Sequence, residues 1–495
     1  MRYSAPFVLL AIVLYAPAHA QAPAPPPAAA GLDARIEKLV ASISEERLQR
    51  LLQKLVSFGT RNTLSDATSP TRGIGAARQW IYDELKRTSP RLQVSFDTHQ
   101  IPKGQPRRIT RDVELRNVMA VLPGKSPRRI YVSGHYDSVN LGARGQVALN
   151  TRASDEGASG ARDQPAAAGA RQGEIQRPGA QAQAPGEPVA SPTAAAADPQ
   201  LNSNQDYNID APGANDDGSG TVLSMELARV FAQSGIEFEA TLVFMTVAGE
   251  EQGLVGAAAH AKAAKAEGIP IQAWFNNDIV GNSRGGDGIV DGASVRVYSV
   301  GPEDSPSRSL AQFTRRIAAQ YVPSHRVRLM ARSDRFRRGG DHSALNAQGF
   351  AAIGFRESRE NYSKQHGPDD TIDGLDFHYL AQNARVNAAA MATLALAPPP
   401  PGVTSNNGAP TIDRRPSGYD AHLRWTASRG AAGYRIFWRN AWAPDWEHEL
   451  AVGKLTEYTF PHANIDDWVF GVAAVDAAGH ESTVSVYIAP SRGEG

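Results

Sequence analysis

The sequence predicts a three-layer α/β sandwich with a mixed central sheet, followed by a small all-β sandwich. Between residues 32 and 396, short runs of β-branched and aromatic residues alternate with amphipathic helical segments. The short runs are apolar on both faces, as expected for strands that helices cover on both sides. After residue 410, apolar and polar residues alternate in several short runs, which is typical of half-buried antiparallel strands.

The elements of the α/β domain follow from these patterns in chain order. Amphipathic helices are predicted over 32–55 and 74–85, and a further helix is predicted to begin near Ser219. The predicted strands are RRIYVSG (128–134), ATLVFMTV (240–247), QAWFNNDIV (272–280), VRVYSV (295–300) and AAIGF (351–355).

The N-terminus has the pattern of a secretory signal. Arg2 precedes an apolar run over 7–15, and small residues precede a cleavage site after Ala20. We therefore expect residues 1–20 to be a signal peptide, residues 21–31 to be a flexible tether, and the mature protein to be secreted or periplasmic. The apolar run is too short to cross a bilayer as a helix, so no membrane span is expected.

Two segments interrupt the predicted domains. Residues 141–212 are rich in Ala, Pro and Gly, and most of this stretch has no aromatic residue, so we expect a disordered, low-complexity insertion within the α/β domain at 32–396. Residues 397–410, APPPPGVTSNNGAP, have the composition of a Pro-rich linker.

The tail at 411–495 is predicted to form the small β-sandwich. Its segments HLRWTAS, GYRIFWRN, EYTFPH and VFGVAAVDAAGHES resemble a fibronectin type III module in order and spacing. That resemblance makes the tail a candidate for binding protein or carbohydrate.

Composition excludes several classes of function. The 51 basic and 51 acidic residues balance, so the strong positive charge of a nucleic-acid-binding protein is absent and no nucleic acid partner is expected. The chain has no cysteine, which excludes disulfides, thiolate metal sites and cysteine nucleophiles. Catalysis would have to use oxygen and imidazole groups.

Acidic and histidine motifs follow the predicted strands, where an open α/β sheet binds its ligands. In GHYDS, His135 can bind a metal through one ring nitrogen while Asp137 orients the ring through the other. In GANDDGSG, the glycines allow a tight turn that directs Asp216 or Asp217 into the crevice, although such a pair is by itself more often a helix N-cap or turn.

Three further motifs complete the set. In AGEEQG, one glutamate of the pair Glu250 and Glu251 can bind a metal while the other reaches a water as general base. Asp278 ends another apolar strand, and His366 lies in the Gly/Pro-rich turn HGPDDT. Nitrogen and oxygen ligands without thiolate suit catalytic zinc, with manganese or cobalt as alternatives.

The ordered motifs GHYDS, NDDGSG, GEE, NNDIVGN and HGPDDT resemble the two-zinc exopeptidase family that includes secreted bacterial leucyl aminopeptidases and glutamate carboxypeptidase. The resemblance covers residues 32–396 and implies two Zn²⁺ per chain. It implies that Asp216 bridges both metals, that His135 and Asp278 complete one site, and that Glu251 and His366 complete the other.

The same resemblance implies a mechanism. Glu250 would be the general base for a water activated by two metals, Asp137 would orient His135, and the peptide bond between Asp216 and Asp217 would be cis. The substrates would be the N-termini of peptides or proteins. The alternatives are a carboxypeptidase or amidohydrolase on the same scaffold, a single-zinc glutaminyl cyclase, and a binding scaffold without catalysis.

Several features depart from the family pattern or have another interpretation. The insertion separates His135 from Asp216 by 81 positions, so it must emerge beside the site. Gln365 precedes His366 where some relatives have tyrosine, and Tyr362 is the nearby candidate for an oxyanion donor. The arginines of ARSDRFRRGGDHS are interpreted as solvated surface (Arg332, Arg335, Arg337, Arg338), and the pair that follows them lies near the substrate pocket in the family (Asp341, His342). The other histidines lack the supporting carboxylate pattern and are interpreted as structural (His99, His260, His325, His378 and the tail histidines His422, His448, His462, His480).

Overall fold

The computed structural model describes residues 31–142, 207–302, 304–336 and 338–488. The predicted signal peptide, nearly all of the predicted tether and most of the predicted insertion therefore lie outside the described residues, as does Arg337.

An eight-stranded mixed sheet forms the centre of the α/β domain, in the order β1-β2-β4-β3-β5-β8-β6-β7. Its central strands β4, β3, β5 and β8 are mutually parallel, so their carboxyl ends share one edge of the sheet. The strands are β1 (Gln93–Ile101), β2 (Val113–Leu122), β3 (Ser126–His135), β4 (Ala240–Val247), β5 (Ile271–Asn277), β6 (Ser294–Ser299), β7 (Arg326–Met330) and β8 (Ala352–Glu357).

Helices cover both faces of this sheet. Side chains that alternate along β3 enter opposite cores: Ile130 and Val132 pack against one helical layer, and Tyr131 packs against the other. The first layer contains α1 (Ala34–Ala41), α2 (Glu45–Val56), α3 (Gly73–Thr88), α4 (Ser219–Gln233), α6 (Pro306–Tyr321) and α8 (Phe377–Leu396), and the second contains α5 (Val255–Ala266) and α7 (Asp341–Ala347). The predicted three-layer α/β class with a mixed sheet is confirmed.

The continuous helix predicted over 32–55 is wrong in one respect. The chain leaves the helix at Ser42, and Ser44 starts a second helix by accepting a hydrogen bond from the backbone N–H of Arg47 at 3.1 Å. A serine cap satisfies one of the free N–H groups at a helix start, so this break is encoded locally. Among the described residues, no helix has the length and apolar character that a bilayer crossing requires.

Two antiparallel sheets form the tail. The three-stranded sheet has the order β13-β10-β9 and the four-stranded sheet the order β12-β11-β14-β15. Leu423 and Tyr458 of one sheet share a core with Ile436 and Val472 of the other, which is the packing of a sandwich. The strands are β9 (Ile412–Asp413), β10 (Ala421–Arg424), β11 (Gly433–Asn440), β12 (His448–Gly453), β13 (Glu457–Phe460), β14 (Trp468–Val475) and β15 (Ser485–Val486).

The packed sandwich begins before its predicted boundary at residue 411. Val403, which lies in the segment predicted as a linker, is buried in the core of the sandwich. The backbone N–H of Thr411 donates to the carbonyl of Val403 at 2.8 Å. The second half of the Pro-rich segment is therefore part of the folded tail.

The sandwich docks on the α/β domain through charged contacts. Arg315 and Arg316 of α6 pair with Asp445 at 2.7 Å and with Glu481, respectively. His480 contacts Asp476 through Nδ1 at 2.7 Å and Asp33 through Nε2 at 2.8 Å. Asp33 is the N-cap of α1, so the first helix and the tail share one hydrogen-bonded cluster.

The contacts of His480 predict a pH-dependent stability. Burial alone would lower the pKa of His480, but its hydrogen bonds to Asp476 and Asp33 outweigh burial and raise that pKa above its ordinary value. Because the folded-state pKa is raised, the stabilisation is complete at pH values below the unfolded-state pKa and is lost as pH rises through the folded-state pKa. Both carboxylates have lowered pKa values and remain ionised near pH 6.

We therefore expect His480→Gln to lower the free energy of unfolding by about 1 kcal/mol near pH 6, a value that allows for solvent access to the partner Asp476, whose side chain is 23% exposed. The difference from the wild type should shrink at pH 9. Urea unfolding of both proteins at the two pH values measures it, and an equal difference at both pH values would contradict the assignment.

Candidate metal centre

The predicted site residues meet at the carboxyl ends of the central parallel strands. His135 is the last residue of β3, and Asp278 directly follows β5. Glu250 and Glu251 follow β4 by three and four positions, and His366 lies in the loop after β8. Residues distant in sequence converge here because parallel strands end at the same edge of a sheet.

Asp216 enters the site from a tight turn at Ala214–Gly218, just before α4. The peptide bond between Asp216 and Asp217 is cis, as the family resemblance implied. Asp370, which lies outside the turn in sequence, fixes its backbone. The Asp370 carboxylate accepts the backbone N–H groups of Asn215 at 3.0 Å and of Asp216 at 2.9 Å.

Asp217 ties this turn to two neighbouring strands. Its Oδ2 accepts the backbone N–H of His135 at 2.9 Å, and its Oδ1 accepts those of Gly220 at 2.8 Å and Ile279 at 3.2 Å. Both carboxylate oxygens of Asp217 therefore accept hydrogen bonds from the backbone, and Asp216 is the member of the pair whose carboxylate faces the site. The sequence did not predict this role for Asp217 or the role of Asp370.

The side chains form two groups that share Asp216. We call His135, Asp216 and Asp278 the first site, and Asp216, Glu251 and His366 the second site. In each site the candidate ligand atoms lie within 4.8 Å of one another. His135 Nε2 is 3.3 Å from Asp216 Oδ1 and 3.7 Å from Asp278 Oδ1, while His366 Nε2 is 3.0 Å from Asp216 Oδ2 and 3.3 Å from Glu251 Oε2.

Glu250 and Asp137 lie beside the first site. Glu250 Oε2 is 3.9 Å from His135 Nε2. Asp137 is fully buried and accepts the backbone N–H groups of Glu250 at 3.2 Å and Glu251 at 3.1 Å, with a further hydrogen bond from Thr63 Oγ1 at 3.3 Å. Its Oδ1 is 3.6 Å from His135 Nδ1, and its carbonyl oxygen is closer to that nitrogen, at 3.1 Å.

The electrostatics of this cluster fit bound cations. Burial raises the pKa of Glu250 to about 8 and, with the charges of Asp216 and Glu250, raises that of Glu251. His135 Nε2 and Glu251 Oε1 are buried and have no hydrogen-bond partner among the described residues. Carboxylates and imidazoles buried without partners are costly unless a cation binds them, so the two sites fit two divalent metal ions with nitrogen and oxygen ligands.

Asp278 contacts a buried cluster of charged side chains that includes Arg356, Asp334 and Arg335. Arg356, at the end of β8, is fully buried and pairs with Asp278 and, at 3.7 Å, with Asp334. Asp334 also pairs with Arg335 at 2.8 Å. The interpretation of the arginine-rich loop as solvated surface is wrong for Arg335, because its side chain is only 9% exposed and pairs with Asp334 and Glu360.

The other residues singled out in this region have varied surroundings. Gln365 accepts a hydrogen bond from Arg338, whose guanidinium lies 5.0 Å from the ring centre of Tyr362. Asp341 is fully buried, and neither of its carboxylate oxygens has a hydrogen-bond partner among the described residues. His342 Nε2 contacts the carbonyl of Ser333 at 2.7 Å.

Several of the histidines interpreted as lacking a carboxylate contact one in the structure. His378 Nδ1 lies 2.9 Å from Glu45 Oε1. The tail residue His480 contacts Asp476 and Asp33.

His99 and His260 both contact Asp97 Oδ2 at 3.0 Å. Asp97 and His99 are two positions apart on β1, whereas His260 comes from α5, so only the fold brings His260 to Asp97. This cluster joins an edge strand to a helix and is separate from the metal centre.

The flanks of the predicted insertion lie at the site. The backbone N–H of Leu141 donates to the carbonyl of His366 at 2.9 Å. On the other side, Arg61 is fully buried and donates to the carbonyls of Pro212 at 2.6 Å and Gly213 at 2.8 Å. Both flanks are therefore fixed by described residues next to the predicted ligands.

The contacts of Asp137 predict a measurable effect on metal binding. In Asp137→Asn, an amide N–H₂ would replace one acceptor oxygen and face a backbone N–H of Glu250 or Glu251. Loss of such a supporting contact typically costs about 10- to 100-fold in metal affinity or activity. Zinc affinity measured by competition with a chelating indicator checks this, with exposed Asp466→Asn as the matched control. An affinity equal to that of the control would contradict it.

An α/β sheet whose strand ends gather two overlapping sets of nitrogen and oxygen donors is the architecture of a metal-dependent enzyme. Residues 199–391 match peptidase family M28. A probable zinc metalloprotease of Pyricularia oryzae is 33% identical over 495 residues, covering 92% of this chain and 84% of that protein. The chain belongs to peptidase family M28 and is a zinc-dependent metallopeptidase.

Solved structures with a similar backbone include two enzymes. The LapA aminopeptidase of Legionella pneumophila has a TM-score of 0.48 and 16% identity, with 73% of each chain covered. The glutaminyl cyclase of Macrostomum lignano has a TM-score of 0.46 and 13% identity, covering 73% of this chain and 92% of that one.

Proposed function

We propose that this metallopeptidase is a secreted aminopeptidase that binds two Zn²⁺ and uses Glu250 as its general base. The observation that carries the proposal is the pair of sites that share Asp216, with the free carboxyl of Glu250 beside them. His135 and Asp278 would complete the first site, and Glu251 and His366 would complete the second. The predicted export signal supports secretion, and the tail is proposed to be a fibronectin type III-like module that binds protein or carbohydrate.

Bound zinc would supply Lewis acidity, which polarises a substrate carbonyl and increases the acidity of water. The side chains of the chain itself account for the proton transfers. The carboxylate of Glu250 would take a proton from the attacking water and return it to the leaving amine. Asp137 would hold the backbone of Glu250 and Glu251 in place, which fixes the distance between the base and the ligand.

Burial fits Glu250 to this task. Its raised pKa of about 8 is that of a carboxyl in a poorly solvated pocket among other carboxylates. A base works best when its pKa is close to the working pH, and bound cations would lower this pKa toward that range. Glu251, in contrast, contacts His366 at 3.3 Å and belongs to the second site.

A substrate panel combined with zinc analysis tests the proposal. The purified chain should hydrolyse peptides with a free α-amino group, ignore the same peptides after N-acetylation, and accept peptides with an amidated C-terminus. Mass spectrometry of the native protein should find two zinc ions. Hydrolysis of the acetylated set, or a requirement for a free C-terminus, would refute an aminopeptidase. One zinc with cyclisation of N-terminal glutamine would favour the cyclase alternative.

A further inference from the structure

Arg356 contacts a predicted metal ligand directly. One terminal nitrogen of its guanidinium pairs with Asp278 Oδ1 and donates to the Asp278 carbonyl at 3.1 Å. The other terminal nitrogen donates to the carbonyl of Gly339 at 2.9 Å. Arg356 is 1% exposed, so water does not screen its charge from Asp278. The guanidinium therefore shares the carboxylate that would bind a cation in the first site.

The surroundings of Arg356 do not cancel its charge. Asp334 and Glu360 are the carboxylates of this cluster, and each pairs with more than one arginine. The cluster contains four guanidinium groups, which belong to Arg296, Arg335, Arg338 and Arg356. Besides Asp278, these four guanidinium groups have only two carboxylates as ion-pair partners within the described part of the chain, and Arg356 is the one that contacts Asp278.

The second site has no such neighbour. Among the described residues, no lysine or arginine pairs with the carboxylate of Glu251, and its Oε1 has no hydrogen-bond partner. Arg108 reaches only the backbone carbonyl of Glu251, at 2.8 Å. Since Asp216 is common to both sites, the charge difference between them arises at Asp278 and Glu251.

We propose that Arg356 acts through Asp278 to make the first site the weaker of the two zinc sites and the first to release its ion. The proposal rests on the proposed two-zinc function. A guanidinium that pairs with a ligand carboxylate reduces the negative charge available to the cation and repels the cation itself. Groups that contact ligands typically change metal affinity by about 10- to 100-fold, so we expect a difference of at least about tenfold between the sites.

Chelator-buffered zinc titration of the purified chain tests this inference. Bound zinc, measured by mass spectrometry, should fall in two steps separated by at least about tenfold in free zinc concentration. Two single-site variants assign the steps. Glu251→Gln should keep one zinc that leaves at the higher free zinc concentration, and Asp278→Asn should keep one zinc that leaves at the lower concentration. If the zinc kept by Glu251→Gln left at a lower free zinc concentration than the zinc kept by Asp278→Asn, the proposal would be overturned. This test needs no substitution of Arg356.

Substitution of Arg356 separates charge from structural damage. Arg356→Gln keeps a hydrogen-bond donor but removes the charge, so the first site should bind zinc about tenfold more tightly and the two steps should approach each other. Arg356→Lys keeps the charge and should keep the steps apart. Damage to the fold would loosen the sites, which is the opposite direction, and a weaker first site in Arg356→Gln would overturn the proposal.

Arg47→Gln is the matched control, because Arg47 also pairs with two carboxylates, Glu84 at 2.8 Å and Glu226 at 3.2 Å. All three residues lie on helices of the first helical layer, α2, α3 and α4. This variant should leave both steps unchanged. Glu250 is unchanged in the wild type and in all these variants, so it does not cause the differences in zinc affinity between them. Two zinc ions of equal affinity would refute this inference alone, whereas one zinc in the saturated wild type would refute the two-zinc function as well.

Discussion

Glu250→Gln should lower the turnover number by about 100- to 10,000-fold while both zinc ions stay bound. The amide has nearly the shape of the carboxylate, but it cannot accept a proton from water at neutral pH. The candidate ligands would be intact, because Glu250 contacts only the edge of the first site, 3.9 Å from His135. Steady-state kinetics on a free-amino peptide and zinc analysis of the same sample measure both parts of this expectation.

The exposed Glu237→Gln is the control for this substitution, since its side chain is 79% exposed and distant from the site. It should have wild-type kinetics. Turnover of Glu250→Gln within a few-fold of the wild type would remove Glu250 from the role of base. Loss of zinc from the variant would instead assign Glu250 to the ligands.

Removal of zinc should have the second large effect, on stability as well as on activity. A ligand that binds only the folded state stabilises it by about 4 kcal/mol at a free concentration of 1,000 times its dissociation constant. Without the cations, burial leaves Glu250 and Glu251 with raised pKa values among the carboxylates of Asp216 and Asp278. We expect the chelated protein to be inactive and to unfold at lower urea concentration, with recovery of both properties when zinc is added.

Asp216→Asn tests whether one residue links both sites. Its carboxylate contacts His135 on one side and His366 on the other, at 3.3 and 3.0 Å. The variant should bind less than one zinc per chain and should lose the zinc-dependent gain in stability. Two tightly bound zinc ions in this variant would show that Asp216 does not bridge the sites.

The layered architecture could be predicted because its central strands are apolar on both faces. The sequence analysis missed β1, β2 and β7, which carry many polar or charged residues. In β1, exposed and half-buried residues alternate, and the strand is defined by its antiparallel pairing with β2. Tertiary pairing of this kind leaves little signal in a single segment.

The candidate ligands could be identified because each is a chemically distinctive residue next to an apolar strand or in a glycine-rich turn. The residues that support them were harder to find. Asp370 and Asp217 accept hydrogen bonds from backbone N–H groups. Nearly every residue has a backbone N–H group, so the sequence does not show which ones these carboxylates bind. Arg356 left a usable signal, since an arginine that directly follows the apolar run AAIGF is out of place in a buried strand unless it has a partner. Its partner Asp278 is 78 positions away, so only the fold reveals the pair.

Asp137 accepts hydrogen bonds from the backbone of both Glu250 and Glu251, so one carboxylate anchors the proposed proton acceptor and a proposed metal ligand together. The positions of Glu250 and Glu251 are therefore coupled, because a shift of the Asp137 side chain displaces the backbone of both glutamates at once. Substitutions at these three positions should therefore combine non-additively. Given the proposed roles of Glu250 and Glu251, a substitution at Asp137 would alter both the base and the metal site in a single mutational step.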